Sequence, residues 1–318
     1  MVWLVRLGKA VAAAGLFALL ILSGAVEAPA VSGIYFGYSP AEWPSSTTIS
    51  RFAADAGKSP AIINIYEDWE DTQPPAPVMA AIHANGSTPM ITWQPQNYGA
   101  WTTPPYPLAQ IAAGAYDAQI RQFATAVRNL GYPVFLRPAH EMNGDSYPWI
   151  VGTFGQTATD YINAWRHLHD LYASVGATNV VWVWCPDVDT EDNTSFSALY
   201  PGDAYVDWIG LDGYNWGGGD WNSFSSVFSD AYQRLTALTS KPLMIAETGS
   251  VEAGDGGGLK AAWIADALDT AIPSMTRIKA IAWFNVDEPP DWRIESSAPV
   301  QAAFREGIAN PRYLAHYP

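Results

Sequence analysis

Eight short runs of β-branched and aromatic residues recur along the chain, and stretches of helical spacing fall between them. The runs are GIYFGY (33–38), AIINIYEDW (61–69), PMITWQP (89–95), YPVFLRPAHE (132–141), NVVWVWCPD (179–187), DWIGLDGYN (207–215), KPLMIAETG (241–249) and IKAIAWFNVD (278–287). The helical patterns cover 49–56, 77–84, 109–130, 157–175, 224–238, 258–271 and 299–308, so only the fifth connection looks short of helix. Strand–helix alternation implies parallel strands, and eight repeats predict a single α/β domain, a (β/α)8 TIM barrel. A doubly wound sheet would call for a GxGxxG after the first strand, and none is present.

The first 30 residues stand apart. MVWLVRLGKAVAAAGLFALLILSGAVEAPA carries Arg6 and Lys9, then an apolar stretch, then small residues ending in Ala28-Pro29-Ala30. This is the pattern of a secretory signal peptide, and an uncleaved membrane anchor is the alternative. The expected division is therefore a leader over 1–30 and a catalytic barrel over 31–318, secreted or attached to the cell envelope and monomeric.

Composition narrows the partners. Charged residues make up 15% of the 318, the net charge is −15, and no lysine or arginine cluster occurs, which argues against nucleic acid and favours a neutral substrate. The five histidines form no HExxH, and Cys185 is the single cysteine, so neither a metal nor a cofactor is expected. The loop VEAGDGGG (251–258) holds Glu252 and Asp255 without the spacing of an EF-hand.

In a (β/α)8 barrel the chemistry gathers where the strands end. There the chain delivers Tyr38, Glu67-Asp68-Trp69, Trp93, Arg137 with His140-Glu141, Trp184, Asp212 with Tyr214, Glu247 and Trp283. Glu141 and Glu247 each close a strongly apolar strand. Strict alternation puts Arg137, Ala139 and Glu141 on one face of the fourth strand, and Leu243, Ile245 and Glu247 on one face of the seventh. Two carboxylates across a barrel mouth are what glycoside hydrolysis uses, one as acid and one as nucleophile or base. Each could instead cap a helix or meet an arginine at a solvated rim.

Tryptophan is abundant, with 15 residues beside 16 tyrosines. Trp93, Trp184, Trp216 and Trp283 fall on or just after strand ends, and Trp149 lies in the loop after the fourth strand. A flat ring suits the C–H face of a sugar. Trp165 and Trp263, inside helical patterns, read as core.

The segments RPAHEMNGDSYPW, NVVWVWCPD, YVDWIGLDGYNWG, KPLMIAETGS and IAWFNVD resemble family 26 glycoside hydrolases, retaining (β/α)8 enzymes, over residues 33–308. The resemblance implies that Glu141 is the acid/base, Glu247 the nucleophile, Tyr214 a contact of the nucleophile, and His140 a reader of the sugar 2-hydroxyl. Arg137 is a second candidate donor to Glu247. Endo-cleavage of β-1,4-mannan is the implied activity, with mixed-linkage β-1,3-1,4-glucan and β-1,3-xylan as alternatives. A non-catalytic sugar-binding barrel is the competing class. Alternation would turn His140 away from Glu141, so the fourth strand should bulge or end early.

Overall fold

The computed structural model describes residues 33–97, 103–188, 195–219 and 221–318; the leader read over 1–30 lies outside them. Eight parallel strands close on themselves: β1 (Ile34–Pro40), β2 (Ile62–Asp68), β3 (Thr88–Gln94), β4 (Val134–Pro138), β5 (Val180–Trp184), β6 (Trp208–Asn215), β7 (Leu243–Ser250) and β8 (Ile278–Asn285). Each pairs with its sequence neighbour, and β8 returns to β1 through six residue pairs from Tyr35↔Ala280 to Pro40↔Asn285. The expected (β/α)8 barrel is the fold.

Helices cover every connection. Ser46–Ala56 starts on a Ser45–Thr48 capping box, and Ala158–Ser174 on a Thr157–Asp160 box, each satisfying first-turn N–H groups that would otherwise lack partners. The pattern read as one helix over 109–130 is two, Leu108–Ala112 and Asp117–Leu130, separated at Gly114, whose φ of 83° is left-handed. Among the described residues the fifth connection holds the four-residue helix Phe196–Leu199 and a single 3-10 turn over Asp203–Tyr205.

Side chains divide by strand parity. Ile63 and Ile65, Ile91 and Trp93, Leu136, Trp182 and Trp184, and Ile281 and Trp283 face the helices and join one continuous core. The opposite parity lines the barrel. At its N-terminal end Tyr317 packs 4.9 Å from the ring of Tyr35 and 4.8 Å from that of Phe135. Nearer the C-terminal end the interior turns polar. Asn64 donates to Ser39 (3.1 Å), Thr92 donates to Asn64 (2.7 Å), and the Arg137 guanidinium donates to Thr92 (2.9 and 2.6 Å). This buried chain crosses from β1 to β4 and carries a cation to the floor of the site.

Candidate active site

A cleft of about 1020 Å³ opens at the C-terminal ends of the strands, and both Glu141 and Glu247 line it. Neither reaches it by simple alternation.

Strand β4 stops at Pro138, three residues short of the expected end. Ala139 (φ 44°) and Glu141 (φ 50°) then take left-handed conformations, which strain a residue that carries a Cβ. The kink survives because its backbone groups are paired. Ala139 N–H donates to Trp93 O (3.1 Å), Glu141 N–H to Cys185 O (2.7 Å), Gly144 N–H to Glu141 O (3.1 Å), and the Trp149 indole to His140 O (2.6 Å). Ala139 turns into the apolar layer beside the helices, Arg137 stays inside the barrel, and Glu141 reaches the cleft. An early strand end therefore resolves the conflict over His140 and Glu141.

Strand β7 uses a bulge. Leu211 pairs with Ile245 but Asp212 pairs with Glu247, leaving Ala246 as an extra residue, and the register against β8 shifts over the same stretch. Leu243 and Ile245 face the helices, so unbroken alternation would have buried Glu247 beside them. The expectation that these three share a face is corrected: the bulge rotates Glu247 into the barrel mouth.

Three donors hold the Glu247 carboxylate. Tyr66 on β2 donates to Oε1 (2.6 Å), Tyr214 on β6 donates to Oε2 (2.7 Å), and Arg137 donates to Oε1 as well. Arg137 also donates to Asp212 Oδ2 at 2.7 Å and is fully buried. Burial works against its charge, but Asp212 and Glu247 outweigh that and hold its pKa well above the ordinary value. Burial, and then the Glu247 charge, push both phenols well above the usual tyrosine range, so they remain protonated donors.

Glu141 sits in the opposite environment. Burial, followed by the charges of Asp212, Glu247 and Asp187, raises its pKa well above that of a free glutamate, with Arg137 opposing. Burial and the neighbouring charges thus favour its protonated form. His140 is buried, and burial together with Arg137 lowers its pKa well below the usual histidine value, so the ring is neutral. Its Nε2 pairs with the Tyr147 hydroxyl at 3.1 Å, and Tyr147 stacks on Trp149 with centroids 4.5 Å apart.

Among the described residues, His140, Glu141 and Asp212 offer ligand atoms within 4.8 Å of one another. A cation there would sit against the Arg137 guanidinium that already pairs with Asp212. This donor set suits proton transfer better than metal binding. In the loop after β7, Glu252 accepts from Ser296 (2.7 Å), while Asp255 accepts from the N–H groups of Gly257 and Leu259 at a helix start.

The tryptophans need correction. Trp93, Trp184 and Trp283 are buried in the barrel–helix layer and do not line the cleft. Trp93 stacks between Trp69 and Phe123, Trp184 packs on Tyr200, and Trp283 packs on Phe304. Each follows the parity of its apolar strand. Trp149 is also buried and supports the kink instead of facing the cleft. Trp216 does line the cleft and is 66% exposed. Arg137 and His140 lie beneath the cleft surface. Tyr66, Tyr147, Phe284 and Trp292, which position near a strand end does not single out, also line it, and Asp187 and Asp212 lie beside Glu141 without a role legible in the sequence. Parity could have supplied Tyr66 and Phe284, which share their strand faces with Asn64 and Ala282.

The model of glycosyl hydrolase family 26 matches residues 108–266. Endoglucanase H of Acetivibrio thermocellus is 39% identical over 286 residues, 87% of this chain and 30% of that protein. The chain belongs to glycosyl hydrolase family 26. A mannan endo-1,4-beta-mannosidase of Bacillus subtilis is 34% identical over 129 residues, 39% of this chain and 32% of that protein. The chain thus spans about a third of the length of these curated relatives. A GH26 β-mannanase of Bacteroides ovatus shares the fold with a TM-score of 0.64 at 19% identity, covering 89% of this chain and 90% of that one.

Proposed function

We propose that this family 26 chain is a retaining, endo-acting hydrolase of neutral β-linked polysaccharide, with Glu141 as acid/base and Glu247 as nucleophile. The observation that carries the reading is the contrast between two glutamates on one cleft. Glu247 is oriented by Tyr66, Tyr214 and Arg137, whereas Glu141 is raised by burial and by neighbouring carboxylates. A carboxyl whose protonated form is favoured suits the acid, and a carboxylate fixed by three donors suits the nucleophile.

The steps follow from that division. Glu141 gives its proton to the glycosidic oxygen while a Glu247 oxygen attacks the anomeric carbon, the C–O bond to the leaving sugar breaks, and a glycosyl ester forms. Esterification removes the Glu247 charge, one of the forces raising Glu141. Glu141, now a carboxylate, takes a proton from water as that water attacks the same carbon, and the sugar leaves with its configuration retained.

The substrate we assign first is β-1,4-mannan, the glycan named for the Bacillus subtilis relative. Mixed-linkage β-glucan is a second reading with its own support, because the relative matched over 87% of this chain is named an endoglucanase. The cleft contributes Glu141, Asp145, Asp187, Glu247 and Glu288 and no lysine or arginine among the described residues, which suits neutral glycans. Export through the 1–30 leader and a monomeric working form complete the proposal; the leader is checked by the mass of the secreted N-terminus.

The test is product analysis on mannan, glucomannan, barley β-glucan and β-1,3-xylan, with Glu247→Ala as control. Cleavage of the mannans alone supports the first substrate, and cleavage of β-glucan alone supports the second. Inversion at the anomeric centre would overturn the roles, and binding without turnover by the wild type would favour a non-catalytic barrel.

A further inference from the structure

Lys260, on the helix Gly258–Asp266 that follows β7, is fully buried and meets no carboxylate within ion-pair distance among the described residues. An isolated buried ammonium is costly unless its donors are satisfied. Here all three are, and all by one loop: Nζ donates to Asp291 O (3.0 Å), Arg293 O (2.9 Å) and Ser296 Oγ (3.1 Å). These acceptors bracket Trp292. The same loop delivers Glu288, Pro289 and Trp292 to the cleft.

Trp292 is the part of that loop closest to the chemistry. Its ring centroid lies 4.9 Å from that of Tyr214, the donor to Glu247, and 4.9 Å from that of exposed Trp216 at an angle of 89°. Gly249 makes room for it, since a Cβ there would fall 2.9 Å from Trp292 Cε3. The backbone of Trp292 and Ile294 is tied to β8 and the residues that follow it as well, so Lys260 secures a loop that is already anchored on its other side. Trp283 Nε1 donates to Trp292 O (2.8 Å), Trp292 N–H to Val286 O (3.0 Å), and Ile294 N–H to Asn285 Oδ1 (2.8 Å). Losing the lysine should therefore loosen the loop without unfolding it.

From this we infer that Lys260 is a positioning residue: by clamping residues 291–296 it holds Trp292 against Tyr214 and Trp216, and so sets the affinity of the cleft for its glycan. The inference rests on the hydrolase reading above for its consequence, though not for the clamp itself. Burial lowers the Lys260 pKa to about 8, with Asp291 and Glu295 of the loop and Glu252 of the β7 loop opposing that fall and Arg293 adding to it. Below that pH the ammonium offers three donors. Above it the neutral amine offers two, and the clamp slackens.

The experiment compares wild type, Lys260→Met, Trp292→Ala and the double variant. Lys260→Met should raise KM by about threefold to tenfold, the loss of one aromatic contact, with kcat changed less than about twofold. The wild-type rise of KM above pH 8 should be absent from Lys260→Met, and the double variant should be no worse than the worse single one. Additive effects, or a kcat loss at unchanged KM, would overturn the inference. Should Lys260→Met not fold, Ser296→Ala removes one acceptor and should raise KM in the same direction; an unchanged KM counts against the clamp. Hydrogen exchange over residues 286–296 needs no turnover. Faster exchange confined to that loop supports the clamp even if no glycan tested is cleaved, and unchanged exchange overturns it.

Discussion

Tyr66, which lines the cleft from β2, donates its hydroxyl to Oε1 of Glu247 across 2.6 Å, the same oxygen that Arg137 reaches from β4. In the proposed mechanism, two donors on one oxygen leave Oε2, held by Tyr214, as the attacking atom. Tyr66→Phe should therefore lower kcat by about 10- to 100-fold, the worth of one hydrogen bond to a charged group, while the protein stays folded. Steady-state kinetics beside a thermal melt makes the check; full activity would remove Tyr66 from the machinery.

In the proposed mechanism Glu141 acts only where a leaving group needs a proton. Glu141→Ala should slow polysaccharide cleavage by about 10²- to 10⁴-fold and leave the first step on dinitrophenyl glycosides nearly intact. Pre-steady-state release of dinitrophenol reads that step directly. Equal losses on both substrates would place the acid elsewhere.

Asp187 is a cleft carboxylate whose charge helps to raise Glu141, and its backbone is tied to Asn143 by two hydrogen bonds of 2.9 Å. As the proposed acid, Glu141 must be protonated to act, so activity should fall as pH rises through its pKa. Removing a neighbouring negative charge lowers that pKa. Asp187→Asn should thus move the basic limb of the kcat/KM profile to lower pH while the acidic limb stays in place. A limb that does not move, or moves upward, would show that Asp187 does not tune the acid.

The barrel was legible because alternating strand and helix periodicity survives in a single sequence, and the placing of Glu141 just beyond β4 and of Glu247 near the end of β7 was legible for the same reason. The geometry that aims them was not. Ala139 and Glu141 adopt left-handed backbone without the glycine that usually announces it, and nothing in PLMIAETG marks Ala246 as the extra residue of a bulge. Both irregularities are held by partners distant in sequence, such as Trp149 and Cys185 for the β4 kink. For the tryptophans parity outweighs nearness to a strand end: Trp93 shares its face with Ile91, and Trp283 with Ile281, so both belong to the core.

Parity makes a last prediction that separates two tryptophans of equal promise in the sequence. Trp184 is fully buried against Tyr200 and the helix layer, whereas Trp216 stands 66% exposed on the cleft. Burying an indole removes roughly 200 Å² from water, a gross gain of about 5 kcal/mol. Trp184→Ala should consequently cost about 3–5 kcal/mol of stability and leave KM unchanged in the fraction that remains folded. Trp216→Ala should do the reverse, raising KM for polysaccharide with a stability change within about 0.5 kcal/mol. Denaturant melts and KM values on the same preparations decide the matter. If Trp184→Ala raises KM at a temperature where it is folded, that indole acts on the glycan from behind the barrel wall, and the division by parity is wrong.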